Sequence, residues 1–175
     1  VLLKEAVRDA EVDDRLYPLR SLQSAISNSK SQLLSPEAFR TQSGSYYDEI
    51  VYRVYSRFQK LLQKNNAVDF DDLLMQVVEL FRRVPDTLHK YQERYLHLLV
   101  DEFQDTNVAQ SQIARMLSGK YRNICVVGDP DQSIYSWRNA DVRNILSFAN
   151  DYSDAKVVNL EQNYRSTQTI LEAAN

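Results

Sequence analysis

Two neighbouring carboxylates, Asp101 and Glu102, follow the apolar run Tyr95 to Val100 and open the stretch Asp101-Glu-Phe-Gln-Asp-Thr-Asn107. At the carboxyl end of a strand such a pair can divide labour. One holds Mg²⁺ through its water shell, and the other orients or deprotonates an attacking water. The same dipeptide also suits a plain acidic strand end that begins a capped turn. A second run, Val127-Gly-Asp-Pro-Asp-Gln-Ser-Ile-Tyr-Ser-Trp-Arg-Asn-Ala-Asp141, again follows an apolar segment. Gln132 suits a hydrogen bond to a phosphate or to the attacking water. Tyr135 and Trp137 offer flat faces on which splayed bases stack, worth ~1–3 kcal/mol per base. Taken singly, Trp137 would serve a core as well, but its loop position and polar neighbours favour the platform. The third run is Leu160-Glu-Gln-Asn-Tyr-Arg-Ser-Thr167. There the Arg165 guanidinium can meet a phosphate bidentately, Tyr164 can face a purine, and Ser166 or Thr167 can cap a helix.

These runs need elements that place them side by side, and hydrophobic period supplies them. Residues 95–100, 123–127 and 155–160 read as short buried strands, with helices over 107–118 and 141–149 between them and Gly119 as a left-handed helix end. Strand and helix in alternation, with continuously apolar strands, predict a parallel sheet covered on both faces. In such sheets ligands bind at the carboxyl ends of the strands, where all three runs begin.

The front of the chain has a different pattern. Residues 1–30 read as helix interrupted near Pro18, Ser35-Pro36 starts another helix, and 41–45 around Gly44 form a loop. From Tyr46 to Lys64 the residues Tyr47, Ile50, Val51, Val54, Phe58, Leu61 and Leu62 make one apolar helix face. Arg53, Arg57, Lys60 and Lys64 line another face, which suits either plain solvation or a row of phosphates. After Asn65-Asn66, Asp69 caps a second helix that has Asp71 and Asp72 in its first turn and Arg82-Arg83 in its last, and Pro85 ends it.

Composition sets limits on function. The chain has 175 residues and a net charge of −3, against the strong basic excess of a general nucleic-acid coat. Residues 1–65 carry ten Lys/Arg and eight Asp/Glu, or +2, so the remainder carries −5. No segment approaches a membrane span, and the single cysteine, Cys125, fits a reducing cytoplasm and a packed thiol. The three glycines, Gly44, Gly119 and Gly128, leave no room for a glycine-rich phosphate loop.

In order and spacing, the stretch from Ala67 to Asn175 resembles the UvrD/Rep/PcrA family of superfamily 1 DNA helicases. Asp69-Phe-Asp-Asp-Leu73 is similar to that family's signature at the return into its first RecA-like domain. Asp101 to Asn107 resembles its Walker B motif, the Gly128 to Asp141 run its third motif, and Asn163-Tyr-Arg-Ser166 its fourth. The resemblance implies an α/β chain with a helical accessory subdomain (1B-like) over 1–65 and the C-terminal part of a RecA-like ATPase domain (1A-like) over 66–175. It implies ATP and Mg²⁺ as cofactors, with Asp101 on the metal, Glu102 as base, Gln132 as γ-phosphate sensor, Arg165 on the γ-phosphate and Tyr164 on adenine. It implies that Phe70, Tyr135 and Trp137, with Arg138 and Asn139, meet single-stranded DNA.

The parent is thus expected to be a cytoplasmic, nucleoid-associated 3′–5′ helicase acting on single-stranded DNA and single/double-strand junctions. Its phosphate-binding loop and second RecA-like domain would lie outside this chain, in the rest of the helicase, and the isolated chain is expected to be inactive. Two rivals remain at this point: a non-catalytic DNA-binding or scaffolding relative, and the helicase subunit of a recombination nuclease.

Overall fold

Helices form wherever apolar period and capping chemistry agree, and the computed structural model, which describes residues 1–42 and 44–174, begins with four of them. These are α1 (Leu2–Asp9), α2 (Leu19–Ser31), α3 (Pro36–Gln42) and α4 (Tyr46–Lys64). Pro18 stands at the N-cap of α2, and the Ser35 hydroxyl accepts from the Ala38 amide at the start of α3. Residue 43, in the expected 41–45 loop, lies outside the described residues. Ser45 and Asp48 close a reciprocal capping box at the head of α4. The α4 stripe then buries Ile50, Val51, Val54 and Leu61 with Leu22 and Ile26 of α2 and Ala6 and Val7 of α1. Full burial stabilises each Val, Leu or Ile by about 1.5–3 kcal/mol. Tyr47 falls outside this core and packs on Tyr17 instead, with ring centroids 6.1 Å apart. The basic stripe is partly consumed by structure: Arg53 donates to the Ala10 carbonyl at the end of α1, while Arg57, Lys60 and Lys64 stay exposed.

The second half runs α5 (Phe70–Arg83), α6 (Pro85–Arg94), β1 (Leu98–Val100), α7 (Val108–Ser118), β2 (Ile124–Val126), α8 (Arg143–Leu146), α9 (Phe148–Asp151) and α10 (Gln168–Ala174). β1 and β2 pair in parallel, Leu98 with Ile124 and Val100 with Val126, and α7 provides the crossover. The chain is therefore mostly helical, with a small parallel sheet among the described residues.

Four expectations change. Pro85 does not merely end a helix; it opens α6 at the first helical positions, where its missing N–H costs nothing. Gly119 is right-handed (φ −59°), with its own amide and Gln92 Nε2 both donating to the Met116 carbonyl at the end of α7, and the left-handed residue is Arg122 (φ 54°). Residues 155–160 form no strand, and Val157, Val158 and Leu160 are 73%, 66% and 84% exposed. Strand-like residues need a partner's ladder, and this segment pairs with neither β1 nor β2. The sheet is also open on one face: Leu99 is 77% exposed and Cys125 lies beside it in register, exposed rather than packed.

The joint between the two halves is ionic and buried. Lys30, at the end of α2, is fully buried and donates to Asp69 Oδ2 at 2.6 Å, with Asp72 Oδ1 at 2.8 Å. The rings of Phe58 and Tyr55 flank its ammonium at 5.1 and 5.8 Å. Each carboxylate spends its other oxygen on the helix. Asp69 Oδ1 accepts from the Asp72 amide at 2.8 Å, and Asp72 Oδ2 accepts from the Asp69 amide at 3.1 Å. Burial, then Asp72 and Asp69, push the Tyr55 phenol well up, so it stays protonated and donates to the Leu34 carbonyl at 2.9 Å. Replacing Lys30→Met leaves Asp72 buried without its counter-ion, so urea unfolding should report a loss of about 3–5 kcal/mol. A loss below about 1 kcal/mol would mean that the capping box and helix dipole hold these carboxylates unaided.

Candidate active site

β1 and β2 end side by side, and the two runs that follow them are held together by hydrogen bonds. The backbone starts this: Val127 N donates to Val100 O at 2.8 Å, and Phe103 N to Val127 O at 2.9 Å. Asp101 and Glu102 therefore emerge at the carboxyl end of β1, both exposed, next to Gly128 and Asp129 at the end of β2. Glu102 is held in the left-handed region (φ 51°, ψ 42°), an uncommon place for a residue with a side chain. Asp101 Oδ1 accepts from the Glu102 amide at 2.9 Å, which leaves Oδ2 uncommitted by that bond.

Side chains continue the link. Gln104, 1% exposed, donates from Nε2 to Glu102 Oε2 at 2.8 Å and accepts on Oε1 from the Asp129 amide at 3.1 Å. Asp129 in turn accepts on Oδ2 from Gln132 Nε2 at 2.7 Å and on Oδ1 from the Asp131 amide at 3.0 Å. A continuous chain of hydrogen bonds thus runs from Glu102 through Gln104 and Asp129 to Gln132. Neither Gln104 nor Asp129 was singled out from the sequence. The signal available was a glutamine two residues beyond a strand-end acid, which spacing alone does not distinguish from an ordinary turn residue. Farther along, Asp141 N and Asn144 Nδ2 both donate to the Thr106 carbonyl at 2.9 Å, closing the loop after β2 back onto the loop after β1. A bidentate contact from Arg143 holds the Asp141 carboxyl below the ordinary carboxylate range.

The aromatic expectations separate clearly from the core. Trp137 is 71% exposed, which rules it out of the interior, and its ring lies 6.1 Å from that of Tyr135. The Arg138 guanidinium sits 4.5 Å from the Trp137 centroid and 5.2 Å from that of Tyr135, a cation over two flat faces. Phe70 is 89% exposed at the first position of α5, directly after the Asp69 cap. Asn139 is left-handed (φ 65°) and reaches Ser27 Oγ of α2 at 3.4 Å, a long-range contact from the 128–141 run to the front helices. Ser27 also supports Asp71, whose carboxyl is raised by burial against that hydrogen bond.

The 160–167 run is not drawn into this cluster. Asn163 Oδ1 accepts from the Arg165 and Ser166 amides, both at 2.9 Å, and the Thr167 carbonyl accepts from the Ile170 and Leu171 amides of α10. Tyr164 and Arg165 lie exposed on that turn, and among the described residues Arg165 forms no ion pair. Nor do the described residues contain a group of three or more His, Cys, Asp or Glu able to hold a metal. The acids present suit Mg²⁺ bound through one or two carboxylates, water and phosphate, rather than an all-protein cage.

A family model for the UvrD/REP helicase N-terminal domain matches residues 1–153. The chain is 48% identical over 174 residues to the ATP-dependent DNA helicase PcrA of Bacillus subtilis. It is 47% identical to PcrA of Staphylococcus epidermidis and of Staphylococcus aureus. Each alignment covers 99% of this chain and 24% of the relative, so the chain spans about a quarter of the length of the curated relatives it matches.

The close fit of the strand ends can be tested at one backbone position. A Cβ added at Gly128 would fall inside van der Waals contact of Gln104 Oε1, and 2.8 Å from Ile145 Cδ1 and 3.2 Å from Phe103 N. Gly128→Ala should therefore destabilise the protein by about 1–3 kcal/mol through overpacking alone, since no positive φ is involved. A melting temperature equal to that of the unsubstituted protein would show that the strand ends are looser than this packing implies.

Proposed function

This chain belongs to the UvrD/REP helicase family, and from that membership we propose that it is part of an ATP-dependent 3′–5′ DNA helicase that translocates on single-stranded DNA. In this reading residues 1–65 form a 1B-like accessory subdomain and 66–175 the C-terminal part of a 1A-like RecA domain. The observation that carries it is the hydrogen-bond chain Glu102–Gln104–Asp129–Gln132 across two adjacent strand ends. It joins an acid able to act as a base to an amide able to read a phosphate.

The chemistry divides among these residues. Asp101, with one oxygen engaged by the Glu102 amide, offers the other to the water shell of Mg²⁺. When bound, Mg²⁺ neutralises charge on the β- and γ-phosphates. Glu102 takes the proton from the attacking water as its oxygen bonds to the γ-phosphorus and the bond to the leaving diphosphate breaks. Gln132 contacts the γ-phosphate or the water, and Arg165 meets the γ-phosphate. Tyr164 stacks on adenine. Lys and the amides of a phosphate-binding loop are not among the residues of this sequence, so this chain supplies the acid, base and sensor side of the reaction.

On the DNA side, Phe70, Tyr135 and Trp137 stack on bases, and Arg138 and Asn139 support that platform. The substrate is single-stranded DNA and its junctions with duplex, and the protein works in the cytoplasm on the nucleoid. No helix among the described residues is long and apolar enough to cross a membrane.

Two substitutions in the full-length helicase test the two sides. Glu102→Gln keeps size and removes the base, so DNA-stimulated hydrolysis should fall by ~100-fold or more while ATP binding persists. Loss of binding together with turnover would make Glu102 a ligand or a structural residue instead. Trp137→Ala should weaken single-stranded DNA binding by ~1–3 kcal/mol, with the salt slope unchanged because stacking releases no counterions. Its melting temperature should hold, given the exposed indole. Unimpaired DNA affinity in a stable Trp137→Ala protein would remove the platform from this reading.

A further inference from the structure

A catalytic base acts only if its carboxylate is held where the water stands, and Glu102 is exposed, on a left-handed backbone, with few obvious supports. Gln104 is the opposite: 1% exposed, with a carboxamide whose two ends face two different strand ends. Its orientation is fixed by its partners. Glu102 Oε2 must receive an N–H as an ionised carboxylate, and the Asp129 amide must give one, so Nε2 faces Glu102 and Oε1 faces Asp129. Gly128 lies alongside the same amide oxygen, so close that a Cβ there would collide with it.

We infer that Gln104 is a positioning residue for hydrolysis: its Nε2 fixes the Glu102 carboxylate, and its Oε1 ties that carboxylate to the Asp129–Gln132 turn. Gln104 acts through Glu102. This inference rests on the assignment of Glu102 as the base.

The two ends of the amide can be cut separately in the full-length helicase. Gln104→Glu keeps the shape and the acceptor for the Asp129 amide but replaces the donor to Glu102 with a second oxygen. Gln104→Met removes both links while filling the space. Loss of the tether should lower kcat for single-stranded-DNA-stimulated ATPase by about 10-fold to 100-fold in both variants, as expected for a displaced reacting group. KM for ATP and single-stranded DNA affinity should stay within about twofold.

In a Glu102→Gln background the same changes should leave the residual single-turnover rate within about twofold, because the group they position is already gone. Wild-type kcat in Gln104→Glu overturns the inference, since it would show that the Asp129 link alone matters. An equal loss of residual rate in the Glu102→Gln background also overturns it and makes Gln104 a packing residue. Should Gln104→Met fail to fold, Gln104→Glu still decides. If Glu102→Gln by itself turns over like the unsubstituted enzyme, the base assignment fails first, and that result is read independently of Gln104.

Discussion

Lys30 carries a full positive charge into the interior and meets two carboxylates that are already committed to starting a helix. Such a cluster survives burial only because every partner is satisfied: the lysine by two acids and two aromatic faces, each acid by a backbone amide. The positive end of the α5 dipole lies at the same point and favours the excess negative charge. The consequence is geometric. The ion cluster fixes the first turn of α5 against α2 and α4, and that turn is what holds Phe70 out in solvent. The neighbouring Asp71 and Asn139 of the loop after β2 meet at Ser27 on the same helix, α2. One buried lysine in the helical front thus anchors the exposed aromatic group at the joint, while Ser27 ties the Trp137 loop to the same helix.

The strand ends follow a similar rule with neutral groups. A buried carboxamide can donate and accept at once, so it can join an anion to a backbone N–H where a carboxylate or an ammonium could join only one of them. Gln104 fills that place, and Gly128 supplies the close approach that lets the loop after β2 lie over it. The loops after β1 and β2 then behave as one body, tied at Val127, Gln104 and Thr106. At about 25 cal/mol per Å² of apolar area buried, this small sheet counts for little; its value lies in the polar ends that it aligns. One face of the sheet stays apolar and open at Leu99 and Cys125, and residues 155–160 stay unpaired, so strand-forming sequence alone did not produce further sheet.

Local chemistry was legible in the residues. Asp69 as a cap, Ser35-Pro36 as a helix start, the α4 stripe from Ile50 to Leu62 and the acids closing β1 all depend on neighbours within a few positions, which a sequence displays directly. Pro85 opening α6 was equally available and was read as an end, since proline suits both the first turn of a helix and the residue after one.

What only the tertiary structure decided is everything that needs two distant segments to meet. The sequence could mark Glu102 and Gln132 but gave no sign that Gln104 and Asp129 would join them, because a glutamine's partners are set by what faces it. Burial puts Lys30 against Asp69 and Asp72, 39 and 42 positions away, a pairing that spacing along the chain does not display. The reverse holds for residues 155–160 and Cys125, whose apolar character promised burial that no facing element among the described residues provides. Side-chain type determines which interactions are possible at short range; only the packed chain determines which of them are made.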